Sequence, residues 1–92
     1  MARLSETQLA TALKSLSGWT AENGEISKTY TFANFVAAVA FVNRLADLAE
    51  PAGHHPDIDI RYNRVRISLT TGDDGGVTDK DIGLAAQIDI VA

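Results

Sequence analysis

The segment Asp57-Ile58-Asp59-Ile60-Arg61-Tyr62-Asn63-Arg64-Val65-Arg66-Ile67-Ser68-Leu69 decides the architecture of this chain. Ile58, Ile60 and Tyr62 alternate with Asp57, Asp59 and Arg61, and Val65, Ile67 and Leu69 alternate with Arg64, Arg66 and Ser68. A period of two belongs to strands, whose successive side chains point to opposite faces. With Asn63-Arg64 as a tight connection, the segment predicts a hairpin with one apolar face and one wet face.

Upstream, Pro51-Ala52-Gly53 separates this hairpin from the longest helical pattern of the chain, Ala33–Glu50, with Asn34 as an early cap. At about 100° per residue, Val39, Val42, Ala46 and Ala49 fall near Phe35, while Phe41, Leu45 and Leu48 widen the apolar arc to roughly half the circumference. That is more surface than one sheet face requires. It predicts either a helix sunk deeply into its own core or one that also joins copies of the chain, partly through Phe41, Leu45 and Leu48.

Further out, Ser5 and Gln8 have capping-box spacing, and Leu9, Leu13 and Leu16 recur at helical intervals, which predicts a helix over 6–16 that Gly18 ends. Trp19-Thr20-Ala21 is a short extended piece and Asn23-Gly24 a hairpin signal. Ile26, Tyr30 and Phe32 then alternate with Ser27, Thr29 and Thr31 as a strand. Downstream of Leu69, Gly72-Asp73-Asp74-Gly75-Gly76 reads as a loop, and Thr78 as the cap of a last helix carrying Ile82, Ala85, Ala86 and Ile88-Asp89-Ile90. The order α-β-β-α-β-β-α predicts an α+β domain, a four-stranded antiparallel sheet with three helices packed on one face.

At 92 residues the chain suits a single domain over 1–92, and 46% apolar with 22% charged residues is a globular composition. Eight Lys and Arg against twelve Asp and Glu leave a net charge of −4, the wrong sign for tracking phosphates, so no direct nucleic-acid contact is expected. No apolar run approaches the ~20 residues of a membrane span, and Met1-Ala2-Arg3-Leu4-Ser5 leads into a polar segment, so a cytoplasmic protein is expected. With no cysteine, thiol nucleophiles and disulfides are excluded.

The two histidines are adjacent, His54 and His55, at a helix-to-strand junction just before Pro56. Free imidazole titrates near ~6.5, and loop ends on a rigid sheet are where proton-exchanging groups are usually placed. Such a pair can equally be exposed, or cap the preceding helix. A metal site with Asp57 and Asp59 is disfavoured, because adjacent side chains of an extended chain diverge and cannot share one ion. No serine stands in a nucleophile-elbow context. Gly75-Gly76 lacks the spacing of a phosphate cradle and reads as a turn, while Arg61, Arg64 and Arg66 among Asp57 and Asp59 read as a solvated cross-strand charge ladder.

Together, Glu50-x-x-x-His54-His55-Pro56, Tyr62, Leu69-Thr70-Thr71, Gly75-Gly76-Val77-Thr78 and Asp81, with Gly18-Trp19 and Phe32-Ala33-Asn34-Phe35 upstream, resemble the pterin-4a-carbinolamine dehydratases over the whole chain. The resemblance implies the same four-stranded, three-helix fold and the loss of water from 4a-hydroxytetrahydrobiopterin, giving the quinonoid dihydropterin, with no cofactor or metal of its own. It places His54 and His55 on catalytic positions and Gly53, Thr70, Thr71, Gly72 and Asp73 on pterin-contacting ones. Trp19 falls on an aromatic wall, and Glu50, Pro56 and Asp81 on supporting positions. It also implies the small pterin as partner, and the wide apolar arc predicts a homodimer or homotetramer through the Ala33–Glu50 helix and the sheet edge.

One position departs from the pattern. Directly after Thr-Thr the family carries a third histidine, sometimes tryptophan, and this chain has Gly72. Losing one positioned acid–base group typically costs ~10²–10⁴-fold in rate. A slow dehydratase, a pterin-binding protein, or the fold kept as a dimerisation or transcriptional-cofactor module are the expectations that follow.

Overall fold

The structure, a computed structural model, describes residues 2–92. Its elements are α1 (Glu6–Leu13), β1 (Thr20–Glu22), β2 (Glu25–Thr31), α2 (Phe35–Ala52), β3 (Asp57–Arg61), β4 (Arg64–Leu69) and α3 (Asp79–Val91), with a 3-10 turn at Gly72–Asp74. The four strands form one antiparallel sheet in the order β1-β2-β4-β3. Three helices and four antiparallel strands in the expected order make the α+β fold.

The long register is β2 on β4, where Ile26 faces Leu69 and Tyr30 faces Val65. Ile26, Val65, Ile67 and Leu69 are fully buried against Ala38, Phe41 and Leu45 of α2 and Ala85 and Ile88 of α3. Phe41 anchors this layer, its ring 4.9 Å from Tyr30 and 5.0 Å from Phe32. Phe41 and Leu45 are therefore core residues, 0% exposed, and the expectation that they join copies of the chain is corrected. The large exposed apolar residues of α2 are instead Phe35 and Val36, at its first turn.

Three boundaries differ from the periodicity. The first helix stops at Leu13, because Lys14, Ser15 and Leu16 bond three residues back, to Thr11, Ala12 and Leu13, a tighter turn that swings Leu16 into the core. The second helix does not break at Pro51. It runs through Pro51 and ends at Gly53, in the left-handed region at φ 61°, with Gly53 N–H donating to Glu50 O and His54 N–H to Ala49 O. That is a Schellman ending, and glycine supplies it at little steric cost. The second hairpin turns one residue earlier than expected, on Tyr62 (φ 52°) and Asn63, so that Arg61 lies opposite Arg64. Asn63 earns its place by holding the neighbouring chain: its main-chain O accepts from Phe32 N–H and its side chain donates to Phe32 O.

The outer face is only partly the expected ladder. Arg61 pairs with Asp59, Arg66 donates to Ser27 Oγ, and Asp57 lies opposite Ser68.

A second polar cluster, unanticipated from the sequence, ties α3 to the sheet. Asp89 accepts from Trp19 Nε1 (3.2 Å), Lys28 Nζ (2.9 Å) and the Tyr30 hydroxyl. Burial alone would raise the Asp89 carboxyl, but the hydrogen bonds from Tyr30, Lys28 and Trp19 outweigh it and hold the group below its ordinary value. Burial first, then the bond to Asp89, pushes the Tyr30 phenol far above its usual range and keeps it a donor. Asp89→Ala orphans the buried indole and phenol donors and should cost about 1–3 kcal/mol, read as a lowered thermal midpoint. Because the folded-state value is depressed, this stabilisation is complete above the ordinary carboxylate pKa of about 3.9 and is lost as pH falls through the lower folded value. Acid titration of the wild type should show that loss, and the alanine variant should lack it.

Candidate active site

The Schellman ending of α2 delivers His54 and His55 onto the first residues before β3, and Pro56 restricts the exit. Their imidazoles diverge to different carboxylates, as adjacent residues of an extended chain should. His54 Nε2 lies 2.5 Å from Asp81 Oδ1, with the histidine side chain 13% exposed and the carboxylate 0%. His55 Nε2 lies 2.5 Å from Glu50 Oε1 in a pair that is mostly solvent-exposed. Glu50 and Asp81 are thus direct partners of the two imidazoles.

Asp81 is also the third residue of α3, where its side chain completes the capping box of Thr78. Its second oxygen, Oδ2, accepts from Thr78 N–H (2.9 Å) and Thr71 Oγ1 (2.8 Å), and the Thr71 and Thr78 hydroxyls stand 2.9 Å apart. One carboxylate therefore joins the helix start, the end of β4 and His54. Thr78 is fully buried, and its part in this cluster was not anticipated. The Thr78-x-x-Asp81 spacing was the signal that could have found it.

The segment after β4 is closed by a bridge between Thr71 and Gly76, through Thr71 N–H to Gly76 O (3.0 Å) and Gly76 N–H to Thr71 O (3.3 Å). This holds Gly72 and Asp73 out in solvent, directly after Thr71 in the chain. Gly72 is not in the left-handed region, and a Cβ added there meets nothing within 4 Å. The glycine in that conformation is Gly75, φ 76°. Thr70 is exposed and donates to Gly24 O, pinning the β1–β2 turn, whereas the Thr71 hydroxyl is spent on Asp81.

Trp19 is not among these residues. It is 5% exposed, stacked edge-on to Tyr30 and bonded to Asp89, about two turns of α3 away from Asp81, where it serves the core. The structure thus brings His54, Asp81 and Thr71 into one hydrogen-bonded cluster, with His55, Glu50, Gly53, Thr70, Gly72 and Asp73 on the adjoining chain. Buried carboxylate and imidazole together can hold and transfer a proton near neutral pH.

A sequence model described as pterin 4 alpha carbinolamine dehydratase matches residues 2–91. A protein of Chloroflexus aurantiacus provisionally named pterin-4-alpha-carbinolamine dehydratase is 61% identical over 89 residues, covering 97% of this chain and 96% of that protein. A crystal structure of a transcriptional coactivator/pterin dehydratase from Brucella melitensis superposes with a TM-score of 0.94 at 35% identity, covering 98% of each chain. A pterin dehydratase-like protein identified as a RuBisCO assembly factor in the alpha-carboxysome matches with a TM-score of 0.67 at 25% identity, over 80% of this chain and 86% of that one. On its sequence and its fold alike, this chain belongs to the pterin-4a-carbinolamine dehydratase family.

Proposed function

We propose that the protein dehydrates a 4a-hydroxytetrahydropterin, with His54 and His55 as its acid–base groups. In this reaction the C4a–O bond breaks as an acid protonates the departing hydroxyl, and a base takes the N5 proton as the C4a–N5 double bond forms. Water and the quinonoid dihydropterin leave. Two imidazoles suit the two proton transfers near pH 7. The observation that carries the reading is the His54–Asp81 contact, a half-buried imidazole held on a fully buried carboxylate. Gly53, Thr70, Thr71, Gly72 and Asp73 line the approach for the pterin, mainly through backbone and small side chains.

A second reading, a non-catalytic pterin-binding or partner-binding module, is favoured by Gly72, which offers no third imidazole. Stopped-flow dehydration of 4a-hydroxytetrahydrobiopterin with and without the protein separates the two. Acceleration above the spontaneous rate is expected, and none at stoichiometric protein would leave the binding module.

The protein acts as a homo-oligomer. Its support is apolar surface on two elements: Phe35 and Val36 on α2, 51% and 75% exposed, and Ile58 and Ile60 on the edge strand β3, 40% and 38% exposed. Sedimentation should give a species larger than the monomer at micromolar concentration; a monomer would overturn this.

A further inference from the structure

The protons of the buried cluster can be assigned one by one. Thr78 N–H donates to Asp81 Oδ2, and Lys80 N–H donates to Thr78 Oγ1 at 3.3 Å. Thr71 and Thr78 share a contact in which either hydroxyl can be the donor. If Thr71 gave its proton to Thr78, the proton of Thr78 would have no acceptor in a residue that is 0% exposed, and Asp81 would itself need a proton to bond Thr71. Orphaned buried donors are expensive and rare. The opposite direction satisfies every group: Thr78 O–H donates to Thr71 Oγ1, and Thr71 O–H donates to Asp81 Oδ2.

Asp81 then accepts twice at Oδ2, and in the ordinary ionised form of an aspartate side chain it is an acceptor only. Its Oδ1 faces His54 Nε2 at 2.5 Å, so that nitrogen must be the donor. We infer that the directed chain Thr78–Thr71–Asp81 locks the proton of His54 on Nε2 and presents Nδ1 as the nitrogen that exchanges protons with the ligand. Nδ1 makes no hydrogen bond among the described residues. The Thr71 and Thr78 hydroxyls are positioning groups, reaching the reaction only through Asp81 and the imidazole. His55 differs: Glu50 and His55 are 78% and 63% exposed, so water competes for both and nothing locks its ring.

What the lock does for catalysis rests on the dehydratase reading, but the lock itself is read without turnover. Long-range proton–nitrogen correlation spectra of the 15N-labelled protein, at a pH where the rings are neutral, distinguish protonated from unprotonated ring nitrogens. His55→Gln identifies the His54 signals. We expect Nε2 of His54 protonated by at least about tenfold over Nδ1, the bias that a hydrogen bond to a buried charge supports. His55 should show a mixture. Thr71→Val should weaken the preference of His54, and Thr71→Ser should restore it.

A wild-type spectrum with the proton on Nδ1 overturns the inference, as does a folded Thr71→Val protein with an unchanged His54 pattern. If Thr71→Val does not fold, the wild-type spectrum decides alone. A locked His54 in a protein without dehydratase activity would end the functional reading and leave this one standing.

Discussion

His54→Ala should slow catalysed dehydration by about 10²–10⁴-fold, the range for loss of one positioned acid–base group. It should also lower stability, since Asp81, fully buried in the wild type, loses the donor at Oδ1, a loss of roughly 1–3 kcal/mol. A domain stable by ~5–15 kcal/mol survives that, so the variant should remain folded. His55→Ala should slow the reaction as well while leaving the thermal midpoint close to wild type, because its ring and Glu50 are exposed and their pairing contributes little. Stopped-flow rates and thermal melts on the two variants check this. Unchanged rates in both would remove the imidazoles from the mechanism, and equal destabilisation by both would contradict the difference in burial.

Gly72→His should raise the dehydration rate, by up to ~10²–10⁴-fold if the added imidazole is positioned as an acid–base group, and most clearly near neutral pH. The backbone permits it. Gly72 lies outside the left-handed region and its added Cβ meets no atom within 4 Å, so stability should change by no more than about 0.5 kcal/mol. Gly75→His is the control: at φ 76° a side chain strains the turn, at roughly 1–2 kcal/mol, with no expected gain in rate. A Gly72→His protein that folds normally, binds pterin and gains nothing would show that a third imidazole is not what this site lacks, and would favour the binding module.

Alternation in Asp57–Leu69, the Asn23-Gly24 turn and the caps at Ser5, Asn34 and Thr78 were enough to read every strand and helix of the fold, because each is a local preference of a few neighbouring residues. Where local signals compete, the sequence alone misleads. Pro51 reads as a helix stop, yet the left-handed ending at Gly53 sets the boundary and with it the placement of His54. The wide arc of α2 could not be divided between core and surface until the sheet was in place against Phe41 and Leu45.

The candidate site divides in the same way. By itself the sequence set the only two histidines side by side before Pro56, and its resemblance to the dehydratases implied catalytic positions for His54 and His55, supporting ones for Glu50 and Asp81, and a missing third histidine at Gly72. Only the tertiary structure decided that Asp81 is shared by His54, Thr71 and Thr78, and that Trp19 and Asp89 form a separate cluster of the core. The reason is physical: a capping box or a strand period is written within a few residues, whereas the bond from His54 to Asp81 spans 27 positions and that from Trp19 to Asp89 spans 70, distances closed only when the helices pack on the sheet.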